Sequence, residues 1–388
     1  VQAGAIRLDG GNVPGFWPTG MSSDANLGAT GQAGAVTLTT TGSMEVLNGA
    51  VIGRSPFTTG DSGRVELQAG SLRIDGGLNN QDTGIMSQAN HDRIARAGDL
   101  TLKVDGSLAM LNGAEISTIA LASGDAGSMT IDAGALDLSQ RAVIGSRTFD
   151  AGDAGTVMVN AGTLRLDGTG TNGFTGITSQ VNEDATGRAG DLVLQINDRL
   201  ELLNGAMIAS TTHGHGDAGI VHVRAETARL DGVGGNQFTG LASSAEPNAT
   251  GQANGVTVEL RDRLEVLNGA SILSYTYGPG GSGMVRIKAK HARLDGIQIA
   301  APFTGIASSA QAGSSGSAMG VTLEIDGRLE VLNGAAISGT TFGAGRGGAG
   351  QLGGVRVPVG VVAGGAVRRQ VVVPVVRRVR RARGGDGR

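Results

Sequence analysis

RDRLEVLNGASILS, residues 261–274, decides the fold of this chain. It returns as INDRLELLNGAMIAS from Ile196 and as IDGRLEVLNGAAIS from Ile325, with weaker copies TTGSMEVLNGAVI from Thr40 and VDGSLAMLNGAEIS from Val104. Five LNGA phrases therefore start at Leu47, Leu111, Leu203, Leu267 and Leu332. A second phrase, (L/I)DG, alternates with them from Leu8, Ile74, Leu166, Leu230 and Leu294. The LNGA spacings are 64, 92, 64 and 65 residues, and the odd one exceeds 64 by a unit of 28. That unit is residues 126–153, AGSMTIDAGALDLSQRAVIGSRTFDAGD, where Ser-Gln-Arg-Ala replaces Leu-Asn-Gly-Ala. The elementary turn is thus 28 residues, and each 64-residue repeat holds a short turn and a long one.

Within a turn the apolar residues alternate. Leu192, Leu194 and Ile196 are followed by Leu200 and Leu202, then Ile208; the next turn places Val221, Val223 and Ala225, then Leu230, then Leu241. Period-two alternation over short runs predicts strands with one face inward. Gly, Asn and Asp stand between the runs, where the backbone must bend. No segment carries a helical stripe. Three short strands per turn, stacked turn on turn, predict an all-β parallel β-helix with about eleven turns, about 50 Å long at the usual strand spacing.

Composition agrees with a thin bore. There are 69 Gly, 7 Phe, 2 Tyr and 1 Trp in 388 residues, and 39% of the chain is apolar. Large aromatics have no place in a narrow core, and the absence of a Gly-X-Y period excludes collagen. Cysteine is absent, which removes disulfides and thiolate metal sites. The chain opens at Val1 inside a repeat, without an initiating Met or a secretory leader, as expected of a fragment or a processed product. No apolar run approaches the roughly 20 residues a membrane helix requires, so the chain is read as soluble and not membrane-spanning. Net charge is −3 overall and +8 in residues 351–388, which leaves −11 for residues 1–350. An acidic body is a poor nucleic-acid surface. Residues 351–388, with twelve Val and nine Arg, hold no repeat register. They are read as a basic Val/Arg-rich tail that is poorly ordered, with an out-of-frame or fragment end, an acidic-surface binder and a cap as the alternatives. Residues 1–350 form the shaft.

The units LxLxNGAxIxS, GDAG and TGIxSQ, as in AGDLTLKVDGSLAMLNGAEIS, resemble the filamentous haemagglutinin family, the large exoproteins of bacterial two-partner secretion. The resemblance covers nearly all of residues 1–350. It implies a right-handed parallel β-helix, export through an outer-membrane partner transporter, a secreted or cell-surface location, and adhesion to host or surface glycans or proteins. The NPN-type motif of the family's secretion domain is absent from the sequence.

Candidate sites are few. Gly214-His215-Gly216 and Arg286-Ile287-Lys288 match polygalacturonase motifs, but NTD and DD are missing, so no carboxylate set is placed for acid–base work. His213, His215 and Asp217 are too few for a structural metal site. Asp61, Asp125, Asp153 and Asp217 recur at turn ends, where Asp caps its own backbone more often than it binds calcium. The LNGA asparagines are expected to cap their corners. Arg7, Arg73, Arg165, Arg229 and Arg293 are expected to form a solvated stripe with glutamates of neighbouring turns. The long turns carry recurring aromatics, Phe16, Trp17, Phe174, Phe238 and Phe303. These either fold back over a strand edge or present rings to a ligand. The sequence thus leads to a non-catalytic adhesin shaft, with no cofactor and no metal. A polysaccharide-degrading β-helix enzyme of the pectate lyase or polygalacturonase type, and the stalk of a contact-dependent toxin, are the alternatives.

Overall fold

A computed structural model of the protein describes residues 1–11, 19–23, 31–53, 61–77, 82–89, 95–170, 173–233, 237–296, 303–347 and 349–353. All regular structure among them is β-strand. The chain coils so that each strand pairs in parallel with its equivalent one coil away, which makes a β-solenoid with three faces. The first face runs from Gln2–Ala3 to Ala349–Gly353. The second runs from Ile6–Asp9 to Leu329–Leu332. The third runs from Gly20–Met21 to Ala336–Thr341 and contains eleven strands, one per coil.

One coil shows why the sequence folds this way. Leu192–Ile196, Arg199–Leu203 and Ala206–Thr212 are its three strands. Leu192, Leu194, Ile196, Leu200, Leu202, Ala206 and Ile208 point inward and are buried, as the alternation predicts. Each Leu or Ile so buried contributes roughly 1.5–3 kcal/mol, and the ladder continues through the whole rod as one core. The expectation of three separate strands per turn fails in three consecutive coils. There Leu100–Leu111, Met129–Ser139 and Val157–Asp167 each run across the first and second faces without a break. Their corner is Asp-Gly or Ala-Gly, whereas the next coil places Asn197-Asp198 there. The ladder passes round these three corners with one register shift between Val104 and Ser107. Ala69-Gly70 and Asp326-Gly327 stand at corners where the strands are separate, so the residue pair alone does not decide the break.

The third face is buried on both sides in places. Ile208 and Ser210 point inward, yet Ala209 between them is 1% exposed, and Ala242 one coil on is 2% exposed. Small outward residues let the flanking rows close over them. The inward serines are not idle polar groups. Ser87, Ser146, Ser179, Ser210, Ser274 and Ser308 each accept a backbone N–H from the glycine-rich corner that follows, at 2.7–3.0 Å. A buried hydroxyl so paired avoids the loss of stability an unmatched polar group would bring.

At that corner, which joins the third face to the next first face, glycines stack on glycines. A Cβ built on Gly187 would lie 1.8 Å from the Gly152 carbonyl oxygen, and one on Gly216 would lie 1.8 Å from that of Gly187. Backbone approaches backbone here, and no side chain fits. The high glycine content is in part this ladder. The strand Ala349–Gly353 pairs with Gly320–Glu324 and so crosses residue 350, and the rest of 351–388 lies outside the described residues.

Candidate functional site

The recurring polar residues are used to tie coils together. In each LNGA corner the Asn and Gly both take positive φ, for example 53° at Asn204 and 90° at Gly205. This is the backbone of the tight Asn-Gly turn. The Asn side chain does not cap its own corner, as expected from sequence; it reaches to the previous coil. Asn48, Asn112, Asn204, Asn268 and Asn333 donate through Nδ2 to Oδ1 of Asp9, Asp75, Asp167, Asp231 and Asp295 at 2.7–3.0 Å. These are the aspartates of (L/I)DG, so the two phrases are halves of one inter-coil link. The LNGA glycine N–H then donates forward to a threonine: Gly49 to Thr83, Gly205 to Thr239 and Gly269 to Thr304, each at 2.7 Å.

The same aspartates also hold the arginine row. Arg7, Arg73, Arg165, Arg229 and Arg293 lie 2.5–2.6 Å from the Asp two residues on. The expected glutamate pairing is secondary, as at Arg7–Glu45 (2.8 Å) and Arg229–Glu265 (3.6 Å). Crowded donors act on the carboxylates accordingly. The Asn48 amide, then the Gly11 N–H and Arg7, hold Asp9 below the ordinary carboxylate value. For Asp295 the leading donor is Arg293. Burial opposes the ionised form of Asp75 and Asp167, but hydrogen bonds from Asn112 and Arg73, and from Thr169 and Asn204, outweigh it.

Asp61, Asp125, Asp153 and Asp217 form a third link. They do not cap their own backbone; each accepts an N–H of the next coil, from Arg96, Asp153, Arg188 and Gln252, at 2.7–3.0 Å. No group of three or more His, Asp or Glu is placed to hold a metal among the described residues. His215 stands in a corner with Nδ1 at 2.9 Å from Thr250 Oγ1. Arg286 lies on the first face two coils beyond that corner, in line with His222 and Thr257. The geometry does not bring them together.

Of the aromatics expected to contact ligand, Phe16 and Trp17 lie outside the described residues. Phe174, Phe238 and Phe303 each turn back over the glycine two residues later. Their Cζ atoms lie 2.9, 3.1 and 2.9 Å from where a Cβ of Gly176, Gly240 or Gly305 would be. Phe174 and Phe238 are half-buried, and Phe303 is exposed.

A groove of about 580 Å³ lies on the outer side of the third face, from Glu115 to Tyr275. Phe174, Met207, Ala209 and Ala242 give it an apolar floor; Glu115, Arg147, Gln180, His213 and Glu246 line it with polar groups. Arg147 Nη2 donates to Glu115 Oε1. Tyr275 Oη donates to Glu246 Oε1 at 2.5 Å. Burial, and then the Glu246 carboxylate, push the Tyr275 hydroxyl far above its ordinary value, so it stays a donor. Arg141 and Arg147 balance Glu115 and Glu246, so the groove carries no net charge. The two carboxylates sit four strand spacings apart, about 19 Å along the rod. That is beyond the roughly 5–9.5 Å that paired carboxyl groups need for glycoside hydrolysis. A second, polar hollow of about 450 Å³ lies where the first two faces merge, between Lys103, Asp132, Asn160 and Gln195. Asn160 there donates to Asp132 at 2.7 Å. Among the described residues no helix is long and apolar enough to cross a membrane.

Comparison of the chain with models of known protein families, with curated proteins and with solved structures finds no match.

Proposed function

We propose that the chain is the non-catalytic, rod-forming shaft of a secreted or surface-displayed adhesin resembling the filamentous haemagglutinins, exported through an outer-membrane partner transporter. One observation carries the binding-shaft reading. The carboxylates and amides that recur with the repeat are consumed by coil-to-coil hydrogen bonds. In the third-face groove the two carboxylates, Glu115 and Glu246, are too far apart to act on one bond. A uniform rod with a shallow, neutral groove suits contact with another surface better than turnover.

Glycan-array binding of the full chain, run beside a polysaccharide-degradation assay, tests this. Binding without release of new chain ends is the expected result. Cleavage of any polymer would overturn the reading and favour the polysaccharide-degrading alternative. Silence in both assays would reduce the rod to a spacer, as in a toxin stalk.

A further inference from the structure

Beside the third-face groove runs a row of side chains that the long-turn aromatics conceal in the sequence. Phe149, Asn182, His213, Glu246, Tyr277, Gln311 and Phe342 each follow the last strand residue of the third face. Each donates its backbone N–H to the coil before, to Ala120, Thr148, Val181, Thr212, Ala245, Thr276 and Ala310 in turn. They therefore stand in register on seven successive coils. Rings occupy every second coil, at Phe149, His213, Tyr277 and Phe342, and an amide or carboxylate occupies each coil between. Phe149 is 42%, Tyr277 40% and Phe342 65% exposed. Neighbouring rings are thus two strand spacings apart, about 10 Å along the rod.

The polar members are held in place by the adjacent row. Gln180 Nε2 donates to Asn182 Oδ1 at 3.0 Å, Tyr275 Oη to Glu246 Oε1 at 2.5 Å, and Gln311 Nε2 to Ser309 Oγ at 3.0 Å. A carboxylate has about four acceptor sites, so Glu246 keeps most of its capacity for a ligand. Tyr277 is braced edge-on by Tyr275 with ring centroids 5.9 Å apart. Rings recurring at one spacing, three of them exposed and the His213 imidazole half-buried at the groove edge, alternate with fixed hydrogen-bonding groups and form a linear template.

We propose that this row binds an extended, uncharged, β-linked polysaccharide lying parallel to the rod axis. Alternate sugars stack on Phe149, His213, Tyr277 and Phe342, and the hydroxyls of the sugars between bond Asn182, Glu246 and Gln311. The repeat of two coils matches the disaccharide repeat of such a chain, in which every second sugar turns the same face outward. Sugar C–H bonds carry partial positive charge and pack against the negative ring face. A neutral groove disfavours polysulfated chains and nucleic acid, which require a basic surface. The inference rests on the reading of the rod as a binding surface and adds the ligand class.

The test is calorimetric titration of the full chain with β-1,4-linked glucan and mannan hexasaccharides and with an α-1,4-linked glucan hexasaccharide. Phe149→Ala, Tyr277→Ala and Phe303→Ala are titrated alongside, each first matched to the parent by circular dichroism and thermal unfolding. Binding of a β-linked chain, weakened about tenfold by Phe149→Ala or Tyr277→Ala and unchanged by Phe303→Ala, is expected. No binding of either β-linked chain, equal binding of the α-linked chain, or undiminished binding by Phe149→Ala and Tyr277→Ala would overturn it. Those outcomes leave the adhesin reading standing if the array shows other ligands; hydrolysis of a hexasaccharide would instead strike the shaft reading itself.

Discussion

Two corners of the coil contain glycine for different reasons. In the corner after the third face, Gly187 has a neighbouring backbone where a Cβ would be, 1.8 Å from oxygen and 2.5 Å from the carbonyl carbon of Gly152. In the LNGA corner, Gly113 and Gly334 have nothing within 4 Å of a built Cβ, and glycine is there for its positive φ, 75° and 83°. The coil with Ser-Gln-Arg-Ala makes the contrast visible. Gln140 (φ 52°) and Arg141 (φ 70°) hold the same turn without glycine, and the Arg141 N–H still donates to Thr175 Oγ1 at 2.8 Å. Steric need at one corner is absolute; conformational preference at the other yields to the stack on either side.

The largest effect should therefore come from Gly187→Ala, which must push two coils apart. A loss of about 3 kcal/mol or more in urea unfolding is expected, and a loss below about 1 kcal/mol would break the contrast. Next comes Asn268→Ala, which leaves Asp231 without its 2.9 Å donor and puts alanine at φ 51°. It should lower stability by about 1–2 kcal/mol. Arg141→Gly works in the opposite direction. Relief of a left-handed non-glycine residue should raise stability by about 1 kcal/mol, visible as a higher unfolding midpoint. The smallest effect per site is that of acid. Asp9, Asp75, Asp167 and Asp295 lie below the ordinary value of 3.8 in the folded chain. Their stabilisation is present above that value and is lost as pH falls through the lower folded values. Thermal midpoints should hold from neutrality to about pH 5 and fall below about pH 4.

The bore was legible because alternation marks it without reference to neighbours: Leu200, Leu202, Val221, Val223 and Leu230 were all placed inward by pattern alone and are buried. What a coil does to the next was not legible. The Asn–Asp link spans 37–39 residues, across long turns of uneven length. Nothing local to Asn268 points to Asp231. The third face hid its inside from its outside, since Ser210 within and Ala209 without are both small and both buried. The ring row is illegible in the sequence for another reason. Its members change type, Phe149, His213, Tyr277, Phe342, and the signal is their spacing of 64, 64 and 65 residues, each directly after a threonine. Phe174, Phe238 and Phe303 drew attention by repeating one letter, yet each packs over its own glycine.

The most direct measurement is a double-mutant cycle in urea unfolding with Asp231→Ala, Asn268→Ala and both together. It asks whether (L/I)DG and LNGA are two halves of one inter-coil link, the claim from which both the stability of the rod and the freedom of its third face follow. A coupling of about 1 kcal/mol between the two sites is expected, so that the double mutant loses about 1 kcal/mol less than the sum of the single losses. Losses that add to within about 0.3–0.5 kcal/mol would contradict the link.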